Sequence, residues 1–209
     1  MARLGKETLF TVPLGPMALE FNQTSIFLFF NTLAMIAGVL VTMPCVRVFG
    51  KKPLIIAITL LSALIELVFF FLRPDNFPVL VGVNVVWAVL AGATPVLLFA
   101  MYADVADYYE WKFKRRATGL VTSGIMFAIK FGITIGGPLM MVVLASFHYV
   151  APIANQPQNQ PVEAVLGIKL LFSVIPAVLS VIYGVILFFY PINEAKLQEI
   201  EADLKARKA

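Results

Sequence analysis

The stretch Tyr102–Gly119, YADVADYYEWKFKRRATG, holds three acidic and four basic side chains between two long apolar runs. The run before it, Pro78–Met101, and the run after it, Gly119–Phe147, are each long enough to cross a bilayer core, which takes about 20 apolar residues. A short charged segment between two such runs is typical of a connector at a membrane surface. The stretch therefore predicts a helical integral membrane protein.

The composition supports the same class along the whole chain. Of the 209 residues, 60% are hydrophobic and 13% are charged, against roughly 25% charged in soluble domains. A β-barrel needs alternating segments of about 10 residues, whereas Leu54–Leu61 is apolar on both faces. We therefore predict a membrane bundle over residues 25–190 with five transmembrane helices, at Ser25–Val46, Pro53–Leu72, Pro78–Met101, Gly119–Phe147 and Val165–Tyr190.

Basic residues concentrate in two connectors, as they do in short cytoplasmic loops. The tail 191–209 follows an odd number of spans and lies on the same side, where its interleaved acids and bases predict a short solvated helix. Residues 1–24 then form an extracytoplasmic segment without an export signal, which suggests a missing upstream span. The net charge of +4 reflects this bias and indicates no nucleic-acid partner. The connector bases are Arg47, Lys51 and Lys52, and Lys112, Lys114, Arg115 and Arg116.

Three acids in the charged stretch recur at every third position, which puts Asp104, Asp107 and Glu110 along one side if the third helix continues to Trp111. Such a cluster, with the nearby arginines, can form ion pairs to a neighbouring bundle that break and re-form as the two move. The alternative is a solvated loop, in which each exposed pair contributes about 0–1 kcal/mol.

An enzyme interpretation of the same acids is disfavoured. The spacing Asp104-x-x-Asp107 resembles half of a carboxylate site for a magnesium diphosphate, but no second acidic pair stands at another cytoplasmic connector. Arg115 and Arg116 would also compete with a metal ion for these carboxylates. We predict neither catalytic residues, nor a metal site, nor an enzyme.

Lys130 lies within the fourth apolar run, about 11 residues from its start. A charged side chain at a helix centre costs roughly 2.5–3.5 kcal/mol even on insertion scales, and this depth hinders snorkelling to the surface. The lysine is either a functional group that answers to a cation or polar substrate, or a structural lysine paired to a backbone carbonyl. We favour the functional role.

Other polar and small residues in the apolar runs are less informative. Glu66 is a second intramembrane charge of open role, Lys169 is expected to snorkel outward, and His148 is expected at the surface. The pair Gly132-x-x-x-Gly136 predicts close approach of another helix to the fourth span.

Four motifs resemble one family when taken in order. The chain is similar, from about Ser25 onward, to the carboxy-terminal half of glycoside–pentoside–hexuronide:cation symporters of the major facilitator superfamily. Each motif is modest alone, and their order and spacing make the resemblance specific. The motifs are Ala103–Lys112 (ADVADYYEWK), Arg115–Gly119 (RRATG), Phe127–Gly132 (FAIKFG) and Phe189–Glu194 (FYPINE).

The resemblance implies a fold and a set of roles. The five spans would correspond to helices 8 to 12 of a twelve-helix transporter in the bacterial inner membrane, with a cytoplasmic carboxy terminus. Lys130 would be the helix-eleven lysine near the cation and sugar sites. The charges Asp104, Asp107, Glu110 and Arg116 would lock the cytoplasmic side, and we add the neighbouring Arg115 to this gate.

The expected function is the coupling of Na⁺ or H⁺ to uptake of a glycoside, pentoside or hexuronide, with no other cofactor. The expected partners are the sugar, the lipid bilayer and an amino-terminal half that this chain lacks. The alternative is a truncated, non-transporting membrane protein that docks onto another transporter half or onto itself. The identity of the sugar and the choice of cation stay open.

Overall fold

The computed structural model describes residues 10–14, 17–21, 23–72, 76–151 and 160–208, so residues 1–9 of the predicted amino-terminal segment lie outside it. Within these residues, five helical spans are long and apolar enough to cross a membrane. The predicted all-α membrane class with five membrane helices is therefore confirmed. The spans are α1 (Gln23–Phe49), α2 (Lys51–Phe71), α3 (Phe77–Phe113), α4 (Thr118–Ser146) and a fifth made of α5 (Val162–Phe172) and α6 (Val174–Phe188).

Strands occur, among the described residues, in one short hairpin before α1. Its strands β1 (Phe10–Leu14) and β2 (Met17–Phe21) pair antiparallel, with Phe10 opposite Phe21 and Leu14 opposite Met17. The helix α7 (Glu194–Lys208) completes the described part of the chain.

Helix α3 continues past Met101 as far as Phe113, so most of the charged stretch is helix rather than connector. No glycine or proline interrupts the chain between Pro95 and Gly119, which allows the helix to extend beyond its apolar part. Lys114 caps its end, with a left-handed backbone at φ 54° and an N–H that donates to the Glu110 carbonyl at 2.9 Å. The predicted gate acids therefore lie on an ordered helix.

The closest helix crossing joins α1 to α3 through two glycines. A Cβ atom at Gly38 would overlap the Val89 carbonyl oxygen, and one at Gly92 would overlap the Met35 carbonyl oxygen. Only a residue without a side chain lets the two backbones approach this closely. Among the described residues, a Cβ atom at Gly132 or Gly136 would meet nothing within 4 Å, so the close approach predicted for these α4 glycines has no partner helix in the described part of the chain. Their spacing permits a crossing but supplies no partner helix.

An apolar core joins α2, α3 and α6. Ile55 and Leu97 are fully buried at its centre, and their packing holds the start of α2 against the second half of α3. The buried members of the core are Ile55, Ile58, Ala93, Leu97, Met101 and Leu187.

Helix α4 differs from the other spans because none of its residues is buried. It packs lightly against α3 and α5, and large apolar side chains such as Phe127, Phe131 and Ile133 are more than half exposed. This face lacks a protein partner within the described residues.

The fifth span is interrupted at Ser173, which separates α5 from α6. Pro176 has no N–H to donate to the carbonyl four residues earlier, that of Phe172, and its ring crowds that carbonyl. The Ser173 hydroxyl donates to the Lys169 carbonyl and stabilises the interruption.

The tail forms a short helix, as predicted, but the prediction that it is solvated is wrong for one face. Helix α7 buries Leu197, Ile200 and Leu204, and the preceding Ile192 is buried as well. The three buried residues of α7 follow one another at three- and four-residue spacing and form a single apolar stripe, while the charged residues of the tail cover the other faces. The tail is therefore a docked amphipathic helix.

Candidate functional site: a charged end and an intramembrane lysine

One end of the bundle, called the charged end, is formed by the start of α2, the last turns of α3, and α7. At its centre, Lys51 Nζ donates to both carboxylate oxygens of Asp104 at 2.7 Å each. The two side chains are 22% and 11% exposed, so water screens this ion pair only in part. Both residues were singled out in the sequence, but nothing there pairs one with the other.

Glu194, the first residue of α7, joins the start of α2. Its carboxylate accepts a hydrogen bond from the backbone N–H of Lys51 at 2.9 Å. A carboxylate at a helix amino terminus is favourable, because it satisfies an otherwise unpaired N–H and faces the positive end of the helix dipole.

The Tyr190 region closes the space beside the ion pair. Lys52 Nζ donates to the Tyr190 carbonyl oxygen, and the Tyr190 hydroxyl lies 3.5 Å from the carbonyl oxygen of Met101. The remaining cavity against Lys51 and Asp104 has a volume of about 10 Å³, which is room for about one water molecule. The charged end is thus closely packed.

Trp111 joins the end of α3 to α7. Its indole N–H donates to Asp203 at 2.8 Å, and its carbonyl oxygen accepts from Arg207 at 3.2 Å. Lys196 Nζ lies 4.4 Å from the centre of the indole ring, within cation–π range. The sequence pattern named Trp111 only as a possible end of the third helix and did not indicate these contacts.

The other predicted gate residues lie further along the same helix and its connector. Glu110 pairs with Arg116 at 3.8 Å, a long contact in which the arginine is 76% exposed. Asp107 is half-buried and Arg115 is exposed, and no ion pair joins either to another described residue. The structure brings Asp104 together with Lys51 and leaves Asp107 and Arg115 without a partner across the charged end.

Lys130 lies on α4, well away in sequence from these groups. Its side chain is exposed, and within the described residues its Nζ makes neither a hydrogen bond nor an ion pair. Its backbone carbonyl accepts from the Thr134 hydroxyl at 2.8 Å. The structure therefore does not place Lys130 in the charged end.

A cavity of about 650 Å³ lies between α1, α2, α3 and α5, near the end of the bundle opposite to the charged end. Glu66 borders it and accepts hydrogen bonds from the Trp87 indole at 3.2 Å and the Ser180 hydroxyl at 3.1 Å. Lys169 lines the cavity and is half-buried; its outward snorkelling stays a prediction.

Two asparagines of this cavity were missed by sequence reasoning. Asn31 donates to Asn84 at 3.4 Å, and the Asn84 amide nitrogen is buried without a partner in the described structure. Amides within apolar runs are a readable signal, because they are costly to bury unpaired.

Two further predictions concern surface chemistry. His148 is exposed, as expected, and its Nδ1 lies 3.1 Å from a Glu163 carboxylate oxygen. Within the described residues, no group of three or more His, Cys, Asp or Glu side chains is arranged to hold a metal ion.

Comparison with known proteins identifies the family. Residues 18–194 match the family described as MFS/sugar transport protein. Similar proteins include YagG of Escherichia coli (strain K12), named as a glycoside/cation symporter, which is 32% identical over 187 residues. The glucuronide carrier protein homolog of the same organism is 28% identical over 192 residues, and the isoprimeverose transporter of Lactiplantibacillus pentosus is 32% identical over 134 residues.

These alignments cover 88%, 90% and 64% of this chain, but 39%, 41% and 27% of the lengths of the relatives. The chain thus spans less than half the length of each of these three relatives. Their names describe transporters and carriers, which confirms the predicted resemblance and excludes the enzyme interpretation. The chain belongs to the MFS/sugar transport protein family of the major facilitator superfamily.

Proposed function

We propose that this chain is the carboxy-terminal part of a secondary transporter that couples Na⁺ or H⁺ to the uptake of a glycoside, pentoside or hexuronide by alternating access. The observation that carries the proposal is the family match over residues 18–194, together with relatives named for glycoside/cation symport, a glucuronide carrier and isoprimeverose transport. We further propose a bacterial inner-membrane location with α7 in the cytoplasm, supported by the basic residues of the charged end.

Lys130 is the proposed coupling residue. Its ammonium group stands on the one span that buries none of its residues, and the described structure supplies no counter-charge. An uncompensated cation within the bilayer is costly, so an acidic group or a polar substrate on a facing bundle would balance it. A cation that competes for that acidic group would then change the affinity for the sugar.

The missing amino-terminal part of the transporter is the proposed partner of α4. YagG and the glucuronide carrier protein homolog are each more than twice as long as this chain, and the apolar face of α4 has no cover within the described residues. A sugar held between two such halves would contact α4 near Lys130.

The proposed cytoplasmic gate consists of Asp104, Asp107, Glu110, Arg115 and Arg116. Asp107 and Arg115 have no ion-pair partner within the described residues, and the Glu110–Arg116 contact is long and partly exposed. Asp107 and Arg115 are therefore available to charges of a facing half, whereas Asp104 already has Lys51 as a partner within its own bundle. Closure of the two halves would form the ion pairs, and opening would break them.

The test of Lys130 uses this chain joined to the amino-terminal portion of a relative and expressed in cells that lack sugar symporters. Uptake of labelled glycosides, pentosides and hexuronides is measured with Na⁺ present, with Na⁺ replaced by choline, and with an imposed pH gradient. Lys130→Met should abolish coupled uptake, while the matched control Ile129→Met, at an exposed neighbour on α4, should retain it. Equal uptake by both variants would refute the coupling role.

The same assay distinguishes the alternative of a non-transporting protein that docks onto a transporter half or itself. In that case Lys130→Met should leave co-purification with the partner intact, and no fusion should transport any of the sugars.

For the gate, Arg116→Glu should change the uptake rate without reducing membrane insertion, and Glu110→Arg in the same chain should restore it. Unchanged uptake in the single variant would exclude a gating role for Arg116.

A further inference from the structure

Helix α2 begins without a cap from its immediate neighbours. The residue before it, Gly50, has no side chain and adopts φ 78°, and no side-chain capping bond is made from this position. Helix ends usually recruit a local Ser, Thr, Asp or Asn for this purpose. Here the cap comes from Glu194, which stands 143 positions later in the chain and binds the Lys51 N–H at 2.9 Å.

The Glu194 side chain is seated against Gly50. A Cβ atom at position 50 would lie 3.0 Å from the Glu194 Cγ and 3.3 Å from its Oε1, closer than side chains normally pack. Glycine at position 50 therefore has two effects: it adopts the positive φ without strain, and its missing side chain leaves room for the Glu194 carboxylate. The space beside Gly50 fits an acidic side chain of this length.

Helix α7 holds Glu194 in place from its other side. Asn193 caps α7 itself, since its side-chain oxygen accepts the Lys196 N–H at 2.8 Å. The buried stripe of Leu197, Ile200 and Leu204 fixes the helix beneath the bundle. The carboxylate is thus presented from an anchored helix terminus rather than from a loose tail.

We propose that Glu194 is a positioning residue for the ion pair at the charged end: by capping α2 it fixes the Lys51 backbone so that Nζ stays on Asp104. Lys51 binds two carboxylates: its backbone N–H donates to Glu194 and its side-chain ammonium group donates to Asp104. Loss of the cap frays the first turn of α2 and moves the ammonium group away from Asp104. The importance of this pair for gating rests on the proposed function, but the positioning itself does not.

The experiment measures how fast the Lys51 amine reacts with an amine-acylating reagent in membranes that contain the full chain, by peptide mass spectrometry. Glu194→Ala should raise the Lys51 rate about fivefold, the effect expected for loss of one helix-capping hydrogen bond. Glu194→Gln should stay near the unmodified rate, because the amide oxygen still accepts the Lys51 N–H. The matched control is Glu199→Ala, which breaks an exposed pair with Lys196 on the same helix and should leave Lys51 unchanged.

Lys196 serves as the internal reference for the docking of α7, because it lies over Trp111. A faster Lys51 rate with an unchanged Lys196 rate supports the proposal. An unchanged Lys51 rate, or an equal rise at both lysines, overturns it, because the second result means that α7 has detached. If Glu194→Ala does not accumulate in membranes, Glu194→Asp replaces it, because the shorter side chain keeps the charge but cannot reach the Lys51 N–H. The Lys51 and Lys196 rates of that variant support or overturn the proposal in the same way. No sugar uptake is measured, so a failure of the proposed transport leaves this result unaffected.

Discussion

The strongest energetic prediction concerns the replacement of Asp104 by Asn. The variant keeps the size of the side chain and leaves the Lys51 ammonium group without its carboxylate. Exposed ion pairs contribute about 0–1 kcal/mol, and breaking a buried pair costs about 3–5 kcal/mol. The side chains of Lys51 and Asp104 are 22% and 11% exposed, between these limits but nearer the buried case. We expect Asp104→Asn to lower the free energy of unfolding by about 2 kcal/mol, a roughly 30-fold change in the equilibrium.

The assay is unfolding in mixed micelles by increasing fractions of a denaturing detergent, followed by tryptophan fluorescence. Lys51→Met should show a similar loss, and the double variant should lose less than the sum of the two, with a coupling of about 1–2 kcal/mol. Glu199→Gln, which removes an exposed pair with Lys196, is the matched control and should cost under about 0.5 kcal/mol. Losses that simply add in the double variant would refute the assignment of a coupled pair.

Three further variants test the packing. Gly92→Ala should destabilise the chain by about 2 kcal/mol, because the new methyl group overlaps a backbone carbonyl of α1. Gly132→Ala is the control and should be near neutral, because its methyl group meets no described atom within 4 Å. Equal losses of stability in the two variants would contradict the α1–α3 crossing. Ile200→Ala should cost about 2–5 kcal/mol and release α7, detected as faster proteolysis of the tail; an intact tail would argue against the docked helix. Glu66→Leu should cost about 1–3 kcal/mol for each donor left unpaired, measured in the same unfolding assay, and a stability gain would show that these bonds contribute nothing.

The predictable part of the candidate site was the list of charged residues rather than their pairing. Asp104 stood out because it follows an apolar run, and Lys51 because it precedes one, but 53 positions separate them. Nothing local indicates which of several bases an acid will meet, since that depends on how two helices pack. Glu194 was further still from its partner, and the sequence indicated it only as a tail charge and as the last residue of the Phe189–Glu194 motif.

The tail shows where a local signal existed and was outweighed. Leu197, Ile200 and Leu204 follow a helical spacing that predicts one apolar face. The charges between them suggested a solvated helix instead. Their burial depends on the packing of α7 against the ends of α2 and α3. Amphipathic spacing alone does not indicate which surface the apolar face of a helix packs against.

The sequence by itself determined the membrane class, the five spans and the family, because apolarity adds up residue by residue within each span and the four motifs keep their order and spacing. Tertiary structure alone decided which helices touch: Gly38 and Gly92 make the close crossing, while Gly132 and Gly136, equally suited by type, meet nothing among the described residues. The physical reason is that a span needs only its own residues to leave water, whereas a crossing, a cap or an ion pair requires two distant segments to arrive at the same place.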